Sequence, residues 1–373
     1  MLKRFEVEGF KGFDYPLILD FSDVKQYTFN RDCIKNNLLK TIIIYGKNAV
    51  GKTNLGLALF DIVTHLVDKN VTPNLYDYYL NNDELYEYAT FRYVFSFDEN
   101  EVDYSYKKTS HDTLIYESLK INETTLFEFS IDNLSKEVNH YFDDDFMKST
   151  LQNLNFDFSD EGSSILRYIV KYSILEKNHP IRKMNDFVSN MLWFRSLDEH
   201  RFIGFKDSVK KANDYYDFIF KDKNLEQFQE LLKIAGIEDE LVIHSTPEQK
   251  NELYVKGKSL IPFFKIASNG TKALYAYFYW SINKEISFLF VDEFDAYYHY
   301  ELSELIVKNL EVRETQTVLT SHNTNLLSNN IMRPDCYFIL TKNKITSIAR
   351  ATSRELREGH NLEKLYMNGE FDV

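Results

Sequence analysis

The stretch TIIIYGKNAVGKTNLGLALF, residues 41–60, decides the fold of this 373-residue chain. Its first five residues form an apolar, β-branched run that is typical of a strand buried on both faces. GKNAVGKT, residues 46–53, then matches G-x-x-x-x-G-K-[ST], the loop that cradles the phosphates of a nucleotide. Apolar residues after the loop recur at helical spacing. The stretch therefore predicts a strand, a phosphate loop and a helix.

Each position of this phosphate loop has a chemical role. Its glycines let backbone N–H groups curl around phosphates, and the following helix directs its positive end at them. The Lys52 ammonium is expected to bridge the β- and γ-phosphates of ATP, and the Thr53 hydroxyl to bind Mg²⁺. A chance match on a tight turn is the alternative, and the strand before the loop and the helix after it argue against that alternative. The predicted nucleotide-binding residues are Gly46, Lys47, Asn48, Ala49, Val50, Gly51, Lys52, Thr53 and Asn54.

A second, acidic motif supplies the groups that a nucleotide hydrolase needs. In ISFLFVDEFD, residues 286–295, an apolar run leads into Asp292 and Glu293. Both carboxylates are therefore expected at the carboxyl end of a buried strand, where open α/β sheets bind their ligands. Asp292 is the predicted partner of Thr53 in binding Mg²⁺, and Glu293 is the candidate general base for the attacking water. Asp295 is either a further support for the metal or an exposed turn residue.

ASNGTK, residues 267–272, precedes the acidic motif and places a serine and a glycine at the start of a helix. Such a start is either an ordinary helix cap or a second anion site. Because the phosphate loop already fills the anion-binding role within its own chain, we expect this turn to touch the γ-phosphate of ATP held by another subunit. The residues predicted to act in this way are Ser268, Asn269, Gly270 and Thr271.

His322 follows the acidic motif and ends the predicted strand TVLTSH, residues 317–322. A single histidine is more often a surface or core residue than a functional one. The order and spacing of the four motifs favour the functional interpretation, in which His322 senses the γ-phosphate from its own strand end. The predicted catalytic residues are Lys52, Glu293 and His322.

The remaining sequence divides by periodicity. Residues 88–142 alternate apolar and polar positions, which predicts a meander of antiparallel strands. Helical spacing dominates residues 145–240, and strands alternate with helices after that. We therefore expect an α/β fold in three parts. These parts are residues 1–145 with the phosphate loop and the antiparallel sheet, residues 146–250 as a helical insertion, and residues 251–373 with the serine-glycine turn, the acidic strand and His322.

Composition restricts the classes of function. The formal charge of −13 argues against a protein whose whole surface clamps nucleic acid, although a local basic groove remains possible. Cys33 and Cys336 are too few for a disulfide framework or a zinc site, and are expected to be ordinary buried thiols. The N-terminus lacks the apolar stretch of a signal peptide, and no apolar run approaches the roughly 18 residues that cross a bilayer. A soluble, cytoplasmic protein without membrane contact is expected.

The motifs GKNAVGKT, ASNGTKAL, LFVDEFD and TSH together resemble those of the ATP-binding-cassette (ABC) type of AAA-domain ATPases, the group of RecF, the SMC heads and the OLD nucleases. The start, LKRFEVEGFKGF, is similar to the first strands of that group, and the tail to the ends of stand-alone bacterial members from abortive-infection and other phage-defence operons. The resemblance implies an ABC-type P-loop NTPase head that forms a homodimer or higher homo-oligomer around ATP and Mg²⁺. Each site would pair Lys52, Thr53, Asp292, Glu293 and His322 of one subunit with Ser268 and Gly270 of the other.

Three positions match this group only loosely. Asn269 interrupts the usual signature sequence of the serine-glycine turn. Gln152 is a guess for the glutamine-bearing loop of the group, and an ordinary polar residue is the alternative. His299 resembles a histidine often found in the group, and packing is the alternative to a role at the dimer seam.

Chain length separates the members of this group. An SMC protein needs hundreds of heptad residues, which this sequence does not contain. Only about 50 residues follow His322, so we expect no fused Toprim nuclease domain. The first hypothesis is therefore a slowly hydrolysing ATPase that regulates a separate effector, a Toprim/RloB-like or HNH nuclease, in anti-phage defence.

Two other hypotheses remain open. One is a RecF-like, DNA-binding ATPase of DNA repair or replication, and the other is a nucleotide-locked scaffold that does not need Glu293. A DNA contact by the helical insertion is supported by its basic residues, although such charges usually form a solvated helix face. These residues are Lys171, Lys177, Arg182, Lys183, Arg201, Lys206, Lys210 and Lys211.

Overall fold

The computed structural model describes residues 1–67, 74–82, 85–131, 137–151, 164–196, 202–205, 212–245 and 250–371. In chain order the strands are β1 (Leu2–Glu8), β2 (Leu17–Asp20), β3 (Ile34–Lys35), β4 (Leu38–Leu39), β5 (Thr41–Tyr45), β6 (Ala89–Phe97), β7 (Asn100–Ser110), β8 (Thr113–Ile121), β9 (Thr124–Ile131), β10 (Val138–Phe142), β11 (Met191–Arg195), β12 (Phe202–Gly204), β13 (Leu241–Ser245), β14 (Asn251–Val255), β15 (Ile261–Pro262), β16 (Phe288–Asp292), β17 (Gln316–Ser321), β18 (Tyr337–Leu340) and β19 (Ile345–Ser347).

The helices are α1 (Lys52–Leu59), α2 (Asp61–Leu66), α3 (Asp144–Phe146), α4 (Ile165–Tyr172), α5 (Pro180–Ser189), α6 (Ala212–Asp217), α7 (Asn224–Ile234), α8 (Phe263–Ile266), α9 (Asn269–Ile282), α10 (Tyr300–Glu311) and α11 (Leu362–Met367). Single 3-10 turns lie at Arg31–Cys33, Phe218–Phe220, Thr324–Leu326 and Pro334–Cys336, and a π-helical turn at Met147–Leu151. Within the described part of the chain, no helix is both long enough and apolar enough to cross a bilayer.

One seven-stranded sheet has the order β12-β11-β16-β17-β5-β18-β19. Neighbouring strands from β11 to β18 run parallel, and β12 and β19 are antiparallel at the two edges. Every residue of β5, β16 and β17 is buried, as expected for parallel strands that are covered on both faces.

A second seven-stranded sheet is antiparallel and has the order β10-β9-β8-β7-β6-β1-β2. It contains the predicted meander, and together the two sheets confirm the α/β fold class with an antiparallel β subdomain. Helix α1 packs between the sheets, because the Tyr93 hydroxyl of β6 donates to the Ala58 carbonyl at 2.9 Å while Gly56 faces the parallel sheet. A Cβ on Gly56 would lie 2.5 Å from the indole Nε1 of Trp193, so this close approach requires glycine.

The segment 146–250 needs a correction, because it is not wholly helical. Met191–Arg195 forms β11, which pairs in parallel with β16 inside the sheet that carries the phosphate loop. Met191, Leu192, Trp193 and Phe194 are all buried, so the run MLWF contributes to the central core. The helices of this segment also pack onto the second half of the chain, since Phe228 of α7 lies 5.2 Å from the Tyr275 ring of α9. The division of the chain at 145/146 and 250/251 remains a prediction.

Candidate active site

The parallel pairing of β5, β16 and β17 brings three of the predicted motifs to one edge of the sheet. Ser321 at the end of β17 pairs with Tyr45 at the end of β5, and Val291 of β16 pairs with Leu319 of β17. Carboxyl ends of neighbouring parallel strands meet in this way, and ligands of open α/β sheets bind there. The phosphate loop, the acidic pair and His322 therefore share one edge, which we call the nucleotide edge.

The phosphate loop begins after β5 and ends at Gly51, the residue that precedes α1. Gly51 has a φ of 102°, a left-handed conformation that favours glycine, and a Cβ there would lie 3.2 Å from the Phe13 ring. The loop start is equally close-packed, because a Cβ on Gly46 would lie 2.6 Å from the Leu340 carbonyl oxygen. Side chains at either glycine would displace the loop.

Lys52 begins α1 and folds back over the loop. Its Nζ donates to the carbonyl oxygens of Gly46 at 2.7 Å and Lys47 at 3.2 Å. Burial lowers the pKa of Lys52, and the charges of Asp292 and Glu293 act in the opposite direction. The ammonium thus bonds to the loop carbonyls, and the charges of the acidic pair favour its charged form.

Asp292 ends β16, and its carboxylate is completely buried. The Thr53 hydroxyl donates to one carboxylate oxygen at 2.7 Å, and the Thr320 hydroxyl donates to the other at 2.7 Å. Burial raises the pKa of Asp292, while these two hydroxyl donors lower it. The contact between Thr53 and Asp292 joins the phosphate loop directly to the acidic strand.

Glu293 follows with a φ of 52°, a left-handed conformation that is uncommon outside glycine. Its backbone N–H donates to the Thr320 hydroxyl at 2.8 Å, and its carboxylate accepts from Arg195 Nη2 at 2.9 Å. Sequence reasoning missed Arg195. The sequence carries only a weak signal for it: MLWFR ends an apolar run in a charged residue, as FLFVD does, but the run is too short to be assigned to a strand.

Asp295 and His322 complete this edge. The Ser321 hydroxyl donates to the Asp295 carboxylate at 2.6 Å, and burial raises the pKa of Asp295. Asp295 is therefore a half-buried residue that links the acidic turn to the end of β17, and it is not an exposed turn residue. The His322 side chain is exposed.

A family model described as "AAA domain, putative AbiEii toxin, Type IV TA system" matches residues 42–328. The chain belongs to this AAA-domain family. No curated protein matches the chain.

Solved structures similar to this AAA-domain protein include three heads of SMC proteins. One is an SMC head bound to the C-terminal winged-helix domain of ScpA, with 17% identity, 93% and 97% coverage of this chain and that one, and a TM-score of 0.46. The SMC head domain from Thermotoga maritima has 15% identity, 93% and 98% coverage and a TM-score of 0.41. An SMC head with an extended coiled coil, bound to the C-terminal domain of ScpA from Pyrococcus furiosus, has 15% identity, 93% and 96% coverage and a TM-score of 0.44.

The oxygen groups at the nucleotide edge of this AAA-domain protein suit a Mg²⁺-bound nucleotide. Thr53 and Asp292 offer a hydroxyl and a carboxylate, the hard ligands that Mg²⁺ prefers beside phosphate oxygens. Among the described residues, the nearest cation to the Asp292 carboxylate is Arg195, whose Nε lies 3.8 Å from it. A divalent cation bound there would offset the buried negative charge.

The serine-glycine turn lies apart from these contacts within one chain. The Ser268 hydroxyl accepts from the Thr271 N–H at 3.1 Å and caps α9. Ser268 and Asn269 are exposed, and Gly270 faces Tyr297 in the turn after the acidic pair. No hydrogen bond of the described residues joins the turn to the phosphate loop. The cap is present, and the contact with another subunit remains a prediction.

The remaining predicted residues have other places. Gln152 lies outside the described residues. His299 precedes α10, is about half exposed, and its Nε2 lies 3.9 Å from a Glu301 carboxylate oxygen. Of the basic set, Lys183 contacts Asp98. Arg201, Lys206, Lys210 and Lys211 lie outside the described residues, so a DNA contact remains a prediction.

Proposed function

We propose that this AAA-domain protein binds and hydrolyses ATP, and that two chains enclose two ATP molecules between them. The single observation that carries the proposal is the 2.7 Å hydrogen bond between the Thr53 hydroxyl and the Asp292 carboxylate. It joins the residue that follows the loop lysine to the end of a buried parallel strand. A loop that resembled a phosphate loop by chance would have no reason to meet an acidic strand end in this way.

The proposed role of each side chain follows from its place. Lys52 lies where its ammonium can exchange the loop carbonyls for the β- and γ-phosphates. Mg²⁺, when bound, supplies positive charge that neutralises the phosphates. Glu293 takes a proton from the attacking water as general base, with a half-buried carboxylate at the same edge. His322 is exposed at the next strand end and is proposed to sense the γ-phosphate.

In the proposed dimer, the serine-glycine turn of one chain contacts the ATP that the phosphate loop of the other chain binds. Ser268 and Asn269 are exposed at the start of the 14-residue helix α9, so the positive end of this helix is accessible to a second chain. Because this turn has no described hydrogen bond to the loop of its own chain, ATP on another subunit is the ligand that fits it. Each site would then need both chains.

We further propose that ATP-dependent assembly regulates a separate effector nuclease in anti-phage defence. The description of the matched family includes a toxin of a toxin–antitoxin system, which supports a role in controlled toxicity. The C-terminal resemblance to stand-alone phage-defence ATPases supports the same role. The test is co-purification of an HNH or Toprim-type nuclease with the chain in the presence and absence of ATP, where an ATP-independent result would contradict the regulatory part.

ATP binding and turnover test the core of the proposal. Lys52→Ala should lower ATP affinity by more than about 100-fold, because the loop loses the ammonium that is expected to bridge the β- and γ-phosphates. Glu293→Gln should retain ATP and accumulate as a dimer in light scattering. Lys308→Ala, an exposed lysine on α10, is the matched control and should behave as wild type. Unchanged ATP affinity in Lys52→Ala, or full turnover in Glu293→Gln, would contradict these assignments.

A further inference from the structure

We infer that Arg195 is a positioning residue for Glu293, which fixes one carboxylate oxygen so that the other is free for the attacking water. This inference rests on the proposed ATPase function and deepens it. Arg195 belongs to none of the four sequence motifs. It comes from β11, about 100 residues before the acidic pair in the sequence.

The pairing of β11 with β16 places Arg195 at the nucleotide edge. Arg195 is the last residue of β11 and pairs directly with Asp292 in the parallel register between β11 and β16. The Ser196 N–H then donates to the Asp292 carbonyl at 3.0 Å, so the pairing of β11 with β16 continues beyond Arg195. The backbone on both sides of Arg195 is therefore fixed.

The hydrogen bonds are asymmetric. Arg195 Nη2 at 2.9 Å and Nε at 3.2 Å both donate to the same oxygen, Oε2 of Glu293. Oε1 accepts no hydrogen bond from the described residues. Arginine is suited to this task, because its guanidinium is planar, permanently charged and presents its donors in a fixed fork. One oxygen is thus held and the other is left available for water.

The backbone of Glu293 is held independently. Its left-handed φ of 52° is unfavourable for a side chain of this kind, so neighbouring contacts must maintain it. The Glu293 N–H donates to the Thr320 hydroxyl, which in turn donates to Asp292. Thr320 therefore fixes the backbone and Arg195 fixes the side chain. Such restraint is what a general base needs, since misplacement by about 1 Å can cost about 100-fold in rate.

Arg195 also lies between the two acidic side chains. Its Nε is 3.8 Å from Asp292 Oδ2, and its side chain is 28% exposed, so it remains reachable from the site. One cation shared by two adjacent carboxylates offsets their mutual repulsion. A purely structural ion pair would not need to contact the candidate base and the candidate metal ligand together.

The strand does not depend on this side chain for its own stability. Met191, Leu192, Trp193 and Phe194 are buried, and β11 is bonded to β16 on one side and β12 on the other. Truncation of Arg195 should therefore leave a folded protein. Its effect should appear in turnover and not in ATP affinity.

The experiment measures the ATP dissociation constant and kcat for Arg195→Ala, Arg195→Gln and Arg195→Lys. We expect kcat to fall about 100-fold in the Ala and Gln variants, because the base loses its position, while ATP affinity changes by less than about threefold. Arg195→Lys should recover part of the loss, since it restores charge without the fork. Arg357→Ala is the control, because Arg357 is an exposed arginine that pairs with Glu355 and belongs to none of the predicted sites.

A double variant separates positioning from an independent role. If Arg195 acts through Glu293, Arg195→Ala should lower the residual turnover of Glu293→Gln far less than it lowers wild-type turnover. An equal fold-loss in both backgrounds, or wild-type kcat in either Arg195→Ala or Arg195→Gln, would overturn the inference. Absence of ATP binding by the wild-type protein would instead refute the proposed function, so the two failures are distinguishable.

Discussion

Asp61 and Asp292 are both completely buried carboxylates, but only Asp61 forms a close ion pair with a buried lysine. Asp61 begins α2 beneath the antiparallel sheet. Lys108 Nζ lies 2.8 Å from it, and the hydroxyls of Tyr106 and Tyr79 donate to it at 2.8 Å and 2.9 Å. The lysine is itself buried, so the positive and negative charges balance inside the protein.

Asp292 accepts two neutral hydroxyl donors, and its nearest described cation is Arg195 at 3.8 Å. A buried carboxylate is costly unless a positive charge accompanies it. Asp61 meets that requirement within the chain and is structural. Asp292 has no close ion pair among the described residues, and it lies at the edge of the sheet that carries the phosphate loop. This arrangement favours a bound cation as the positive charge that balances Asp292. Burial alone therefore does not separate the two carboxylates, and the origin of the balancing charge does.

Removal of each carboxylate charge should affect the stability of the protein very differently at the two positions. Asp61→Asn should destabilise the protein by about 3–5 kcal/mol, because Lys108 is then buried without a counter-ion. Asp292→Asn should cost less, because among the described residues no buried lysine lies within ion-pair distance of Asp292. Urea unfolding midpoints of the two variants give the measurement.

A double variant is the control for Asp61. Asp61→Asn combined with Lys108→Met removes the stranded cation and should recover much of the lost stability, because an apolar side chain replaces a buried ammonium. Similar losses in Asp61→Asn and Asp292→Asn would show that the comparison is mistaken.

Glu311 is another buried carboxylate, and its charge is removed in a different way. Among the described residues no cation lies within ion-pair distance, and its Oε1 accepts only from the Cys33 thiol at 3.4 Å. Burial raises the pKa of Glu311 to about 9, from 4.5. It therefore remains protonated in the folded protein at neutral pH.

This raised pKa gives a pH dependence with a definite sign. The stability that Glu311 contributes is complete below pH 4.5 and is lost as the pH rises through about 9. Glu311→Gln removes that dependence. The variant should match wild type near pH 4.5 and exceed its unfolding free energy by about 3 kcal/mol at pH 7. Unfolding curves across this range provide the check, with Glu314→Gln, an exposed neighbour, as control. If the unfolding free energy of Glu311→Gln and that of wild type changed equally with pH, the raised pKa of Glu311 would be contradicted.

The nucleotide edge was largely predictable because its parts are local. The loop GKNAVGKT and the strand FLFVDE each carry their chemistry within ten residues, and parallel pairing necessarily brings strand ends together. The contact between Thr53 and Asp292 spans 239 residues yet needs only that rule.

Arg195 and Lys108 were not predictable for physical reasons. The run MLWF is too short to separate a strand from a helix by periodicity, and its pairing with β16 is set by tertiary packing. Lys108 occupies an inward position of β7, where the alternating pattern calls for an apolar residue. Only the carboxylate on another element, Asp61, explains it.

Stabilisation by bound ATP should also distinguish Asp292 from Asp61. Wild-type protein with Mg²⁺ and ATP at 100 times the dissociation constant should gain about 2.7 kcal/mol in unfolding free energy. Asp292→Asn should lose most of this gain, since the proposed metal contact is removed. Asp61→Asn should keep it at temperatures where that variant is folded. Thermal unfolding with ATP, with and without EDTA, gives the measurement, and a full gain in Asp292→Asn would remove Asp292 from the metal site.

The smallest effect is expected from removal of one hydroxyl that donates to the buried ion pair of Asp61 and Lys108. Tyr79→Phe deletes the donor to Asp61 Oδ2 and should cost about 2 kcal/mol, because hydrogen bonds to a buried charged group exceed neutral ones. ATP affinity should not change, since this hydroxyl lies beneath the antiparallel sheet. The adjacent Tyr78 is 93% exposed, so Tyr78→Phe is a matched control that should cost less than about 0.5 kcal/mol. If Tyr79→Phe instead weakened ATP binding without loss of stability, the buried pair would be part of the nucleotide site, and the distinction between a structural and a functional carboxylate would fail.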